Sequence, residues 1–304
     1  MLRSLTAFTL LLTLSFSTLS QQPVISFSFD DGSTNNFPGY PLAKWNQMLL
    51  DALDKHQLKA ILFVTGERVD SEAGKTVLKS WNDAGHGIAN HTWTHPFYAA
   101  KNYTLGAFTK ELLKTDSLVS SYSNFKPFFR FPYLKEGETR EKIDGFRAVL
   151  AEHNYQIGHV SVDASDWYVS SRLVKALREN PKADISGFRD FYIQHLFDRA
   201  RYYDALATDL TGRKINHVML LHHNLAAALF FDDLVQYFKD QGWKVMNTEE
   251  AFTDPVYQRK PGNVPAGESI IWAMAKESGK YEDKLRYPAE DGEYEKEKMD
   301  KLGL

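Results

Sequence analysis

The chain contains no cysteine. It can therefore form no disulfide and carry no Cys-linked lipid anchor, an absence that by itself does not fix a compartment. It also lacks an excess of positive charge, with 36 Lys and Arg against 39 Asp and Glu and a formal net charge of -3. A nucleic-acid partner would want a basic face, so none is expected. No internal repeat or low-complexity segment interrupts the 304 residues. The apolar stretch from Leu10 to Phe16 is too short to span a bilayer. With Arg3 before it and the small residues Thr18-Leu19-Ser20 after it, the start reads as a secretory leader over residues 1–20. Its removal takes the net charge to -4 and leaves a periplasmic or secreted protein with no membrane span.

What is present suits a globular body. A hydrophobic content of 43% and a charged content of 25% support one large domain or two small ones. Val24 to Phe29 alternates like a strand, and Ala60-Ile61-Leu62-Phe63-Val64 is an apolar run of the kind that fills a parallel sheet. Further strand patterns follow at Gly87–Ala89, Phe128–Arg130, Ile157–Val162, Val218–Leu221 and Trp243–Met246. Helical spacing recurs between them, as in Leu105, Phe108, Leu112, Val119 and Tyr122. Strands alternating with helices predict a parallel sheet or a βα barrel. Residues 21–256 form the expected body, interrupted by a helix-rich, aromatic insertion at about 170–216. Residues 257–304 read as a charged, solvated extension in which only Ile270-Ile271-Trp272-Ala273-Met274 looks able to dock.

Chemistry-bearing residues fall just after the strands, where barrel active sites are built. Asp30 and Asp31 are adjacent carboxylates that ask for a nearby cation. His91 and His95 add two imidazoles, and two imidazoles with one carboxylate suit a zinc-like ion that keeps open positions for water and substrate. The second carboxylate is then free to act as a base. Two histidines four apart face one way on a helical turn, but Pro96 predicts a loop–helix junction there. Arg130 follows a strand and, beside Asp30, would hold that carboxylate ionised and oriented. Asp163 and Asp166 offer either site carboxylates or helix N-caps. His222 ends another strand and could protonate a leaving group if Asp166 raised its pKa, while His223 would point away.

The ordered set Ser28-Phe29-Asp30-Asp31-Gly32, His91-Thr92-Trp93-Thr94-His95, Arg130-Phe131-Pro132-Tyr133, Asp163-Ala164-Ser165-Asp166-Trp167 and Leu221-His222 resembles the five motifs of the polysaccharide deacetylases. These are the NodB-homology, or family 4, carbohydrate esterases. The resemblance runs from about Pro23 to Pro255. It implies a distorted (β/α) barrel and metal-dependent removal of acetyl groups from N- or O-acetylated carbohydrate of chitin, peptidoglycan or xylan type. The metal it implies is usually zinc, with cobalt or nickel as other divalent occupants. Asp30 then resembles the catalytic base, and Asp31, His91 and His95 the metal ligands. Arg130 matches the residue that orients the base, the Tyr133 main-chain N–H the oxyanion donor, Asp166 the tuner of the acid and His222 the acid. Trp167 and Leu221 match walls of the acetate pocket. Leu134 and His223 depart from the family's usual Gly and Asp. An amidohydrolase of small non-sugar amides and a catalytically silent carbohydrate-binding protein are the alternatives.

Overall fold

The computed structural model describes residues 22–304; the expected leader lies outside them. The first apolar run forms β1 (Val24–Asp31), which lies between β2 (Ile61–Val64) and β7 (Asn216–His222). All pairings of the main sheet are parallel, and outward from β2 it continues through β3 (Gly87–Asn90), β4 (Phe125–Phe129) and β6 (Gln156–Ile157). β8 (Lys244–Val245) adds to the start of β1. Past β6 the chain runs on until Val162 bridges Met219 of β7, so the sheet curls round towards closure. The fold is a distorted (β/α) barrel.

The period of two along β1 explains its placement. Phe27 and Phe29 turn outward and meet Phe231 edge-on at 5.1 and 5.4 Å. Ser26 and Ser28 take the other face, where their hydroxyls donate to the His217 and Met219 carbonyls of β7 at 2.9 and 3.2 Å. Asp30 shares their face, which brings it to the carboxyl end of the barrel interior.

The surrounding helices are α1 (Leu42–Lys55), the short α2 (Gly66–Val69), α3 (Glu72–Asp83), α4 (Leu105–Val119), α5 (Arg140–Glu152), α6 (Asp166–Glu179), α7 (Ser186–Thr211), α8 (Leu225–Asp240) and the short α9 (Thr248–Ala251). Ser71, Thr104, Thr139 and Asn224 cap α3, α4, α5 and α8 by accepting a backbone N–H. The expected insertion at 170–216 is not a separate body. α7 buries Tyr192, Leu196, Ala200 and Tyr203 in the same core as β1 and α8.

The segment beyond Tyr257 departs from the expected solvated extension. β9 (Ala266–Gly267) pairs antiparallel with β5 (Lys135–Gly137). α10 (Ile270–Ser278) buries Ile270 and Ile271, each worth about 1.5–3 kcal/mol when removed from water. α11 (Glu293–Leu302) buries Met299 and Glu295. Acids of this segment can be buried because they are paired. Glu290 meets Arg199 and, at 2.7 Å, Arg286; Glu295 lies 3.3 Å from the His195 imidazole of α7. Among the described residues no helix is long and apolar enough to cross a membrane.

Candidate active site

The strand ends deliver nine of the expected side chains to one cavity of about 660 Å³. Asp30, Asp31, His91, His95, Tyr133, Asp163, Trp167 and His222 line it, and Arg130 supports it from behind. Leu221 does not reach it. Leu220 and His222 share a face of β7, so Leu220 is the lining residue and the fully buried Leu221 faces the core.

One donor atom each from Asp31, His91 and His95 lies within 4.8 Å of the others. The His91 Nδ1 is 2.9 Å from the Arg130 carbonyl, which makes it the N–H donor and leaves Nε2 with a free lone pair, as ligation requires. Burial pulls His91 down to about 4 and His95 to about 3, so both imidazoles are neutral. Burial would raise Asp31, but the charges of His222 and Arg68 outweigh it and hold the carboxyl far below the usual range. The donor set fits a divalent cation. Arg68, from α2, was not anticipated from the sequence; it grips Asp31 Oδ2 at 2.5 Å and leaves Oδ1 towards His95.

The histidine pair is carried by a loop, not a helical turn. Thr92 and His95 adopt φ of 68° and 59°, and the Glu111 carboxylate of α4 accepts the Trp93 and Thr94 N–H groups at 2.9 and 2.6 Å. Left-handed backbone is concentrated here. Of eight non-glycine residues with positive φ among those described, Asp31, Thr92, His95, Tyr133, Leu134 and Glu268 belong to the site or its wall. Such strain persists only where the surroundings over-determine it.

Arg130 Nη1 donates to Asp30 Oδ1 at 2.5 Å and Nε to the Gly158 carbonyl at 2.9 Å, with the guanidinium stacked 3.8 Å over Phe63. It orients Asp30 and opposes the effect of burial on its carboxyl. Burial pushes the Asp30 carboxyl above the usual range, and Arg130 only partly offsets that. Across the cavity, Asp166 accepts the His222 backbone N–H at 3.0 Å and faces its Nδ1 at 2.6 Å, while Asn224 donates to the same carboxylate at 2.9 Å. Burial alone would lower His222, yet Asp166 overrides it and lifts the imidazole to about 9. Nε2 is left as the protonated group available to the cavity. His223 turns away, packs 4.4 Å from Trp45 and meets Asn46 Oδ1 at 3.0 Å.

Asp30 held by Arg130, the convergent donor atoms of Asp31, His91 and His95, and His222 held by Asp166 occupy one rim in motif order. Residues 19–157 match the family model described as polysaccharide deacetylase. Over this region the chain is similar to the polysaccharide deacetylases. The chain is 30% identical over 144 residues to a peptidoglycan-N-acetylglucosamine deacetylase of Bacillus cereus, covering 47% of this chain and 46% of that protein. It is 30% identical over 158 residues to chitin deacetylase 1 of Cryptococcus neoformans, covering 48% and 30%. The match thus spans less than half the length of these curated relatives. A CE4 family pseudoenzyme from Bacillus anthracis shares the fold, with a TM-score of 0.53 and 18% identity over 76% of this chain and 66% of that one. Asp166, Trp167 and His222 lie beyond the stretch matched by the deacetylase model.

The cavity wall also contains residues for which the motifs gave no signal. Lys135, Glu268, Tyr287, Pro288, Glu290 and Asp291 line it, and four of these come from the C-terminal segment after Glu268. Composition hid them, because an acid-rich stretch reads as solvated until its partners are known. Among the described residues the four well-exposed aromatic side chains are Phe97, Tyr133, Trp167 and Tyr287, and all four line this cavity.

Proposed function

We propose that the protein is a metal-dependent hydrolase that removes acetyl groups from an N- or O-acetylated carbohydrate. The observation that carries this reading is the opposition of two differently tuned proton carriers, Asp30 on Arg130 and His222 on Asp166, across the Asp31–His91–His95 donors. Zinc, or another divalent ion such as cobalt or nickel, suits two neutral imidazoles and a carboxylate. When bound there, such an ion supplies Lewis acidity towards the acetyl carbonyl and the attacking water.

The chain's own residues account for the proton movements. Asp30 accepts a proton from water as its oxygen bonds to the acetyl carbon. The Tyr133 main-chain N–H, held in a left-handed turn at φ 56°, stabilises the charge that develops on the carbonyl oxygen. As the C–N or C–O bond breaks, its electron pair leaves with the sugar nitrogen or oxygen, and His222 supplies the proton. Acetate and a free amine or hydroxyl result, and solvent exchange resets both carriers. Trp167 and Leu220 wall the acetyl end.

The exposed aromatic side chains support a sugar substrate, since flat rings match the apolar faces of pyranoses. Such polymers lie outside the cytoplasm, in agreement with the leader expected over residues 1–20. Acetate release from acetylated chitin, xylan and peptidoglycan fragments, with and without chelator, tests the reading. Release abolished by chelator and restored by zinc is expected. No acetate from any glycan, alongside turnover of a small cyclic amide, would establish the amidohydrolase alternative instead.

A further inference from the structure

One short segment, Thr65 to Arg68, ties the strand end that bears Asp31 to the loop that bears His91 and His95. The Thr65 N–H donates to the Asp31 carbonyl at 3.1 Å. The next two N–H groups, those of Gly66 and Glu67, donate to the Thr92 and Trp93 carbonyls of the histidine loop, both at 2.9 Å. They belong to the first turn of α2, where N–H groups have no partner inside the helix. Gly66 permits this approach, because a Cβ there would run into the Trp93 ring and Thr115 Oγ1.

Arg68 completes this clasp at the carboxylate. Its Nη1 lies 2.5 Å from Asp31 Oδ2, while Thr65 Oγ1 donates to Oδ1 at 3.3 Å. Oδ1 faces the imidazoles and lies 3.8 Å from His95 Nε2. A carboxylate oxygen has two lone pairs, so Oδ1 can accept from Thr65 and still ligate. At Oδ2 the guanidinium is already in place, and one cation there opposes the approach of a second to the same oxygen. None of the five motifs includes Arg68. Its side chain is 43% exposed, so truncating it opens no cavity in the core.

We propose that Arg68 is a positioning residue of the metal site: by engaging Oδ2 it makes Asp31 a ligand through Oδ1 alone and turns that oxygen towards His91 and His95. Ligation through one oxygen leaves the ion's remaining positions to water and substrate. A ligating carboxylate is oriented by such outer partners, and their loss weakens metal binding. This role rests on the metal part of the proposed function and adds to it a determinant that acts through Asp31 without touching the ion.

The test strips the full chain of metal with chelator and titrates it with zinc against a chromogenic competitor, and separately with cobalt, whose visible spectrum reports its ligands. Acetate release from acetylated chitin, xylan and peptidoglycan fragments is measured alongside with zinc present. Arg68→Met is expected to bind zinc about 10–100-fold more weakly than the wild type, with an altered cobalt spectrum. Arg68→Lys keeps a cation for Oδ2 and should recover most of that affinity. Cooperative thermal transitions without metal show that both variants are folded. The direction of the change is diagnostic, because a guanidinium acting only as a nearby charge would repel the ion and its removal would tighten binding. Zinc binding in Arg68→Met as tight as in the wild type or tighter, or an unaltered cobalt spectrum, overturns the role of Arg68. If the wild type releases acetate, that result leaves the deacetylase reading standing. Arg68-dependent zinc binding without acetate from any glycan does the reverse, and a wild type that binds no zinc removes both.

Discussion

The strand ends between Asp30 and Arg130 and the segment after Tyr257 meet at the same cavity but are built on opposite principles. The first places its groups by backbone register: Asp30 sits at the end of β1, His91 and Arg130 directly follow β3 and β4, and the pairing of β1 to β4 through β2 and β3 sets them along one rim. The second reaches the cavity by a short antiparallel pairing and by buried ion pairs such as Glu290 with Arg199 and Arg286. Register leaves a mark in sequence as motifs, whereas docking through paired charges resembles an ordinary solvated surface. On the proposed reading, the difference separates what performs the chemistry from what surrounds the substrate.

The sharpest way to break this division is at its chemical side. His222→Ala and Asp30→Asn should each lower turnover by about 10²–10⁴-fold while retaining zinc, as measured by acetate release and metal content. Asp31→Asn should lose turnover by losing the metal, so excess zinc partly restores it. Equal zinc occupancy in Asp30→Asn and Asp31→Asn would mean that the two carboxylates have not divided the roles. Next in size, Arg130→Met leaves Asp30 buried without its cation, which should cost about 3–5 kcal/mol in urea unfolding. A loss under about 1 kcal/mol would show that Asp30 is not dependent on the pair.

The docking side should respond more mildly. Gly267 has φ of 142°, and a Cβ there would run into the Leu134 carbonyl, which accepts the Glu268 N–H at 2.9 Å. Gly267→Ala should therefore cost about 1–3 kcal/mol and lower turnover by displacing the Tyr133 turn. Full activity in that variant would uncouple the two regions. Last, Glu295 offers a pH-dependent effect. Burial would raise its carboxyl, but His195 and Lys298 outweigh that and hold it at about 2, below the ordinary value of 4.5. A depressed carboxyl stabilises the fold above its unfolded pKa, and that contribution fades as pH falls from about 4.5 towards 2. Thermal midpoints should fall less steeply over that window in Glu295→Gln than in the wild type; parallel curves would remove the ion pair from the docking account.

Much of the barrel was legible because its strands are short apolar runs with reactive residues at their ends. The polar residue pairs were legible for the same reason, down to His223 turning away from His222. Leu221 was misplaced although strand alternation puts Leu220 on the face of His222; motif resemblance alone pointed one residue too far. Arg68 escaped because it enters from a four-residue helix with no motif of its own. The histidine segment was read as a loop–helix junction from its spacing and Pro96, whereas Glu111, sixteen residues beyond His95, fixes it as a loop through two backbone N–H groups. Glu268, Tyr287 and Glu290 were hidden because a long-range partner decides whether an acid is buried, and no local pattern carries that information.

Leu134 accepts the Glu268 N–H, and β5 finds its only strand partner among the described residues in β9, more than a hundred residues later. The turn carrying the Tyr133 N–H is thus braced by a strand remote from it in sequence. Asp30, Asp31 and His91 are placed instead by the pairing of β1, β2 and β3, which does not involve β9. On the deacetylase reading, a chain cut short before β9 would keep the metal donors and the base yet leave the oxyanion donor unbraced.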